Sequence, residues 1–304
     1  MSTEPAAELN SRLRASLVVA VNPDGGWAYQ AGKKSRVEPT CWAALALGAR
    51  PADDGNVGRA CALLRSWQRP DGLIAEPGLP PNLAFNGLAL LVLDWRRRHA
   101  GDAAAAACAR LADALSVAAV LRLRGDAAER QDNRLRGWPW TEGAFSWVEP
   151  TAWCLLALKR WRRSAGSRPP ALDRRISDAD AMLIDRACRG GGWNYGNSNM
   201  LGQELHAYVP TTAAALLALQ DRREEAAVTG GLDFLAANAL RETSGMALSL
   251  ALLALGAYRL RPPGIVESIA GAWERSGFLG NLSATASALC AVEASQDASD
   301  AFTL

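Results

Sequence analysis

Metal-ligand side chains and paired cysteines are scarce in this sequence. It has two histidines, His99 and His206, and six cysteines, none of which forms a Cys-x-x-Cys pair. Zinc needs several converging ligands of these types, so we predict no metal and no cofactor. Several cysteines lie inside apolar runs such as Leu289-Cys290-Ala291, which predicts small core residues and no disulfide framework.

The sequence also lacks a membrane-spanning run and a strong net charge. No run approaches the ~18 apolar residues that a span needs, and the short apolar run Leu17–Val21 leads into a turn. A net charge of +2 gives no field that would attract nucleic acid. We therefore predict a cytoplasmic protein without a nucleic-acid partner. A transient contact with a membrane surface and the oligomeric state both stay open.

What the sequence does contain is an internal repeat. A Gly-Trp segment is followed by an apolar stretch that begins with proline and threonine. The tryptophan precedes the threonine by 13 positions in two copies, Trp27 with Thr40 and Trp138 with Thr151. A third copy, Trp193–Thr211, spans 18 positions and so carries an insertion of five residues. Weaker copies cover 73–86, 244–255 and 278–292.

Each copy predicts a turn followed by a buried helix. Glycine ends the preceding helix because it adopts positive φ, and the tryptophan anchors the turn in the core. The stretch Ala43–Leu47 is apolar on nearly every face, which indicates a helix buried all round, whereas the preceding helices are amphipathic. Inner and outer helices that alternate around a ring satisfy both patterns. Strands are poorly supported.

The run Leu63–Leu73 resembles the repeats of squalene–hopene cyclases and protein prenyltransferases, with Leu73 where an aromatic is usual. The resemblance covers about 9–292. It implies an all-α fold, an α/α toroid of about five to six helical hairpins that forms one domain over 1–304. It also implies a terpenoid cyclase-like or prenyltransferase-like protein, with a small isoprenoid (prenyl) or other apolar substrate in a central cavity.

In that superfamily the cavity opens where the inner helices begin, and the resemblance assigns its lining to those positions. Glu38 and Glu149 are equivalent in two copies, and with His206 they are the candidate catalytic residues. The alternative is electrostatic, because a carboxylate at a helix N-terminus is stabilised by roughly 0.3–1 kcal/mol. The helix dipole favours ionised carboxylates, which suit carbocation stabilisation better than proton donation unless desolvation raises the pKa. The candidate substrate-binding residues are Trp138, Trp140, Trp147, Trp153, Tyr208, Glu204, Arg134 and Arg136.

Two signatures of the superfamily are missing. The squalene-type cyclases protonate their substrate from an Asp-x-Asp-Asp motif, and the nearest match here, Asp178-Ala179-Asp180, precedes an outer-helix stretch. The prenyltransferases hold zinc through Asp, Cys and His, and Thr40 stands where that cysteine belongs. Cys41 with His206 is the remaining zinc alternative.

The segment 189–210 is long and rich in glycine and asparagine. It predicts either a functional loop or a cover over one end of the ring. Trp27, Trp193 and Tyr195 are expected in the packing of the turns. Arg134 and Arg136 would meet an anionic group of the substrate or face solvent.

Two other functions stay open. The absence of both signatures favours a non-catalytic binding scaffold, whose cavity would be filled by its own side chains. Carbohydrate processing by an α/α-barrel enzyme would use Glu38 and Glu149 as two carboxylates ~5–9.5 Å apart in an open groove.

Overall fold

The chain alternates between outer and inner helices. The computed structural model describes residues 3–48, 50–101, 104–122, 131–166, 168–296 and 301–304. The outer helices are α1 (Thr3–Val19), α3 (Asp54–Ser66), α5 (Ala105–Val117), α7 (Leu172–Asp185), α9 (Ala226–Asn238) and α11 (Ile265–Ser276). The inner helices are α2 (Val37–Leu47), α4 (Leu83–Ala100), α6 (Val148–Ser164), α8 (Val209–Ala218), α10 (Gly245–Ala257) and α12 (Leu282–Ser295). Smaller elements are the 3-10 turns Pro51–Asp53 and Ala239–Arg241 and an antiparallel hairpin of β1 (Asn199–Met200) and β2 (Gln203–Glu204).

The inner helices form a closed ring. Helix α2 packs against α4, α4 against α6 and α6 against α8, and the series continues through α10 to α12, which packs back against α2. The outer helices lie on this ring, for example α3 on α2 and α5 on α4, while α1 packs mainly on α12. Six inner and six outer helices in the described ranges confirm the predicted all-α toroid and set the number of hairpins at six.

The inner helices are buried on all sides, as their composition predicts. In α2 every residue except Glu38 is buried, and in α6 every residue from Val148 to Trp161 except Glu149 is buried. Both of these carboxyl residues stand second in their helix. Accessible space inside the ring therefore lies at the start of the inner helices.

All inner helices begin at the same end of the ring, because each follows an outer helix that runs the opposite way. The connections from outer to inner helices, such as 20–36, 67–82 and 186–208, lie together at this end, which we call the mouth. At the opposite end the segment 301–304 lies against the ring, with Ala301 and Phe302 buried.

The structure also bears on the cysteines, on membrane-spanning helices and on clusters of metal-ligating side chains. The six cysteines are buried, which agrees with their assignment to the core. In the described ranges, no helix is long and apolar enough to cross a bilayer, and no cluster of three or more His, Cys, Asp or Glu side chains is placed to hold a metal ion.

Candidate active site

The tryptophan of each repeat joins an outer helix to the next inner helix. The indole Nε1 of Trp27 donates to the Leu17 carbonyl near the end of α1 (2.8 Å), and its backbone N–H donates to the Thr40 hydroxyl in α2 (3.0 Å). Trp138 makes the equivalent two bonds at 2.9 and 2.8 Å. The repeat spacing thus has a physical cause, because the threonine supplies the acceptor that a buried turn N–H requires.

Two turns depart by one residue from the spacing read in the sequence. The N–H of Trp193 donates to Thr212 (2.8 Å), 19 positions away, while the Thr211 hydroxyl donates to the Trp193 carbonyl. In the weaker copy, the Asn86 side chain bonds the backbone of Ile74 in both directions, at 2.7 and 2.9 Å, and Leu73 is not its partner. The polar residue in the inner helix has the same role in all four turns.

Connections at the mouth also cap the inner helices. The first N–H of α2 donates to the Glu76 carboxylate (2.9 Å), and that of α4 donates to the Trp140 carbonyl (2.8 Å). The first N–H of α6 donates to the Tyr195 carbonyl (2.8 Å), and that of α12 to the Tyr29 carbonyl (2.9 Å). Because these oxygens accept from the first backbone N–H of α2 and α6, the carboxyls of Glu38 and Glu149 are not needed for that role and are left for other contacts.

Glu38 is held by a tyrosine of the first connection. The Tyr29 hydroxyl donates to Glu38 Oε2 at 2.5 Å, and the Tyr29 backbone is fixed by its bond to α12. Burial raises the pKa of Glu38, and the hydrogen bond from Tyr29 opposes this rise because it stabilises the carboxylate. Burial and the adjacent carboxylate raise the pKa of Tyr29 well above its ordinary value, so the phenol keeps its proton and remains a donor.

Glu149 is the second carboxyl of the interior. Its pKa rises to about 7, first because of burial and second because of the negative charge of Glu38, while a hydrogen bond from Trp153 opposes the rise. The two carboxyls are therefore close enough for the charge of one to act on the other. Near neutral pH, Glu149 therefore retains a substantial protonated fraction.

Aromatic rings lie one helical turn below the two carboxyls. Trp42 follows Glu38 by four residues and Trp153 follows Glu149 by four, so each shares the helix face of its carboxyl. The two indoles meet edge to face with centroids 5.6 Å apart, although α4 stands between their helices in the ring. The Trp42 ring also stacks on Phe302 at 5.4 Å.

The other inner helices add little polarity at the level of the carboxyls. The second residues of α4, α8, α10 and α12 are Ala84, Pro210, Met246 and Ser283. Among the six equivalent positions, four thus carry no charge and three of these are apolar. The two carboxyls thus stand among mostly apolar positions at the starts of the inner helices, and we call this region of the interior the chamber.

Aromatic side chains continue into a cleft of about 380 Å³ beside the start of α6. The Tyr195 and Tyr208 rings lie 5.2 Å apart there, and Trp147 contacts Phe145 at 4.9 Å. His206 borders this cleft and is exposed on its loop. A second cleft of about 680 Å³ on the other side of His206 is lined in part by Glu204, which forms an ion pair with Arg189 (3.4 Å).

The structure places three predicted substrate-binding residues away from the chamber. Trp138 is fully buried in the turn that it anchors, like Trp27 and Trp193. Arg134 is exposed and forms an ion pair with its neighbour Asp132 (2.9 Å). Arg136 forms an ion pair with Asp178 of α7 (2.7 Å), on the outer layer.

Sequence reasoning missed four residues of this region: Tyr29, Trp42, Tyr195 and Phe302. Trp42 had a signal, since it stands four residues after Glu38 as Trp153 stands after Glu149. Tyr195 was expected in turn packing, yet its side chain is 54% exposed in the cleft, and only its carbonyl supports α6. Tyr29 and Phe302 reach the site through contacts between distant segments.

The mouth carries nearly all exposed apolar surface of the described ranges. Thirteen large hydrophobic side chains are exposed, and twelve of them belong to the connections or helix ends at the mouth, while Leu260 lies at the opposite end. Five of the six connections contribute at least one, and Val19 ends the helix that leads into the sixth. The twelve are Val19, Leu79, Val117, Leu121, Phe145, Tyr195, Met200, Leu201, Leu205, Tyr208, Leu240 and Phe278.

Comparison with known proteins identifies the fold but no family. No family model and no curated protein matches the sequence. A solved structure of a protein from Actinoplanes is similar over 96% of this chain and 99% of that chain, with 17% identity and a TM-score of 0.63. The type II terpene cyclase MstE from Scytonema is similar over 90% of this chain and 78% of that chain, with 18% identity and a TM-score of 0.55.

Carbohydrate-active proteins share the same ring. The α-1,6-mannanase GH76A from Salegentibacter is similar over 96% of this chain and 99% of that chain, with 10% identity and a TM-score of 0.63. At such identities the similarity shows the fold alone. The chain therefore has the α/α-toroid fold found in terpene cyclase and glycosidase structures.

Proposed function

We propose that this protein is an enzyme that transfers a proton to an oxygen-bearing isoprenoid or similar apolar substrate, with Glu149 as the proton donor. One observation carries the proposal: a partly buried carboxyl with a pKa of about 7 stands among apolar and aromatic side chains, near a second carboxyl that accepts a hydrogen bond from Tyr29. A general acid is most effective when its pKa lies near the working pH. An acid of this strength suits a basic oxygen better than a bare alkene.

The chemistry follows from the groups on the wall. The Glu149 proton moves to the oxygen of a terminal epoxide while a carbon–oxygen bond breaks, and a neighbouring alkene closes on the carbon left cationic. Loss of a proton from the cyclised cation, to water or to the Glu38 carboxylate, gives a product isomeric with the substrate. The indole faces of Trp42 and Trp153 favour positive charge, and their burial excludes water from the cation.

Glycoside hydrolysis is the second candidate, because two carboxyls influence each other here and solved relatives by fold include a mannanase. The side chains around the two carboxyls favour the first candidate. A sugar needs several polar partners, whereas the positions around and below the carboxyls are mostly apolar or aromatic. The type II terpene cyclase from Scytonema, which has a structure with its product merosterolic acid A, supports an apolar substrate for this ring.

The test is conversion of terminal epoxides of farnesol and geranylgeraniol, with products analysed by gas chromatography and mass spectrometry. We expect a cyclic product of unchanged mass, formed at a rate that falls as the pH rises above 7, because Glu149 then loses its proton. Glu149→Gln should lower the rate at least a hundredfold, and the exposed control Glu8→Gln should leave it unchanged.

Other outcomes assign the site differently. No conversion of either epoxide by the wild type contradicts the proposal. Hydrolysis of α-1,6-mannotriose or xylotetraose that is lost in both Glu149→Gln and Glu38→Gln supports the glycosidase candidate. Binding of the epoxides without conversion supports a scaffold.

The apolar mouth suggests how such a substrate arrives. We propose that the twelve exposed side chains around the mouth rest on a bilayer, because they come from five of the six connections and from helix ends at the same end of the ring. Wild-type protein should sediment with phosphatidylcholine vesicles, and Leu201→Glu at the tip of the hairpin should weaken this severalfold. Leu260→Glu at the opposite end is the matched control. Protein that stays in the supernatant, or equal loss in both variants, contradicts the contact.

A further inference from the structure

Phe302 lies inside the ring although it does not belong to any helix of the ring. Its side chain is 4% exposed, stacks on Trp42 with an interplanar angle of 23°, and meets Trp153 at 6.3 Å with an angle of 67°. Since these indoles stand one turn below Glu38 and Glu149, three aromatic rings occupy the interior directly beneath the carboxyls.

The segment that carries Phe302 comes from the end opposite the mouth. Gln220, just after α8, donates to the Phe302 carbonyl (2.7 Å) and accepts from the Leu304 N–H (3.0 Å). Arg160 near the end of α6 donates to the Thr303 carbonyl. These polar contacts fix the backbone at the ends of two inner helices, so the Phe302 ring projects from there toward the chamber.

We propose that Phe302 forms the floor of the substrate chamber and limits the length of the apolar chain that the protein accepts. This inference rests on the function proposed above. Two of the inner helices contribute the indoles at this level, and the Phe302 ring, which is anchored at the opposite end, packs against both. A smaller residue at 302 therefore deepens the chamber without altering the carboxyls or the mouth.

The test compares binding of geraniol, farnesol and geranylgeraniol, linear isoprenoid alcohols of ten, fifteen and twenty carbons, to wild type, Phe302→Leu and Phe302→Ala. Binding is followed by quenching of tryptophan fluorescence. We expect the affinity ratio of the twenty-carbon to the fifteen-carbon alcohol to rise at least tenfold in Phe302→Ala and less in Phe302→Leu. Leu260→Ala, exposed at the same end of the ring, should keep the wild-type ratio. An unchanged ratio in both Phe302 variants overturns the inference.

A second measurement does not depend on the proposed function. Phe302→Ala should leave an apolar cavity the size of a phenyl ring between two indoles, and engineered apolar cavities of ~150 Å³ bind benzene. Benzene should raise the Tm of Phe302→Ala and leave that of the wild type unchanged. If no alcohol binds the wild type, the proposed function fails, and the benzene result then decides the position of Phe302 alone. Absence of benzene stabilisation in a folded Phe302→Ala overturns it.

Discussion

The raised pKa of Glu149 makes the stability of the fold depend on pH in a direction that can be measured. A carboxyl that binds its proton more tightly in the folded protein than in the unfolded chain destabilises the fold as it ionises. The contribution of Glu149 is fully present below its ordinary pKa of 4.5 and is lost as the pH rises toward and past 7. This rise in pKa corresponds to about 3 kcal/mol.

Glu149→Gln removes this titration, since the amide resembles the neutral acid at every pH. The variant should therefore be close to the wild type in stability near pH 4.5 and exceed it near pH 8 by about 3 kcal/mol. For a chain of 304 residues, an unfolding entropy of about 2.1 cal/mol/K per residue converts this into a Tm difference of about 5 °C. The assay is thermal unfolding followed by circular dichroism from pH 4.5 to 8.5.

Two further variants separate the causes of the shift. Because the charge of Glu38 contributes to the raised pKa of Glu149, Glu38→Gln should lower the pH at which the loss of stability is complete and make the total loss smaller. Glu8→Gln, on the exposed face of α1, should leave the pH dependence of the wild type intact. A Tm difference between wild type and Glu149→Gln that is the same at pH 5 and pH 8 would refute the reasoning.

The remaining predictions concern the turns and a buried ion pair. Thr151→Val removes the acceptor of a buried turn N–H and should lower the free energy of unfolding by about 1–3 kcal/mol in urea titrations, whereas the exposed Thr229→Val should change it little. Lys159, buried in α6, donates to Asp180 at 2.6 Å, so Lys159→Met should cost about 3–5 kcal/mol. Arg162→Met, which breaks a more exposed pair, should cost less than about 1 kcal/mol, and equal losses in the two variants would contradict this account.

The fold could be predicted because each repeat contains its own physical explanation. The interval between Trp27 and Thr40 is the length of chain needed to bring a hydroxyl under the turn N–H, so the spacing recurs with the structure. The same local logic placed Glu38 and Glu149 at equivalent helix starts. The sequence pointed to Thr211 as the partner of Trp193, one residue before the observed acceptor Thr212. Two adjacent threonines both carry a hydroxyl, and only the packing of the helix determines which one accepts from the turn N–H.

The candidate site could be predicted only in part, because its other members are set by contacts between distant segments. No local pattern indicates that Tyr29 reaches Glu38 or that Phe302 enters the ring from the far end. Trp138 and Trp147 look alike in the sequence, yet an indole bond to the end of α5 commits Trp138 to the turn. Asp178 and Asp180 are likewise engaged in ion pairs with Arg136 and Lys159, so neither serves as an acid of the chamber.

The separation of scaffold from site explains why one ring accommodates different chemistries. Stability comes from the turn bonds, the helix caps and the buried faces of the inner helices, and the turn bonds and helix caps do not use the side chain of the second residue of an inner helix. Glu38, Ala84 and Pro210 occupy this position in three equivalent inner helices, so the packing of the ring does not dictate the residue type there. The residue type at these six positions can therefore change while the contacts that close the ring persist, as expected of a fold that is also found in a terpene cyclase at 18% identity and in a mannanase at 10%.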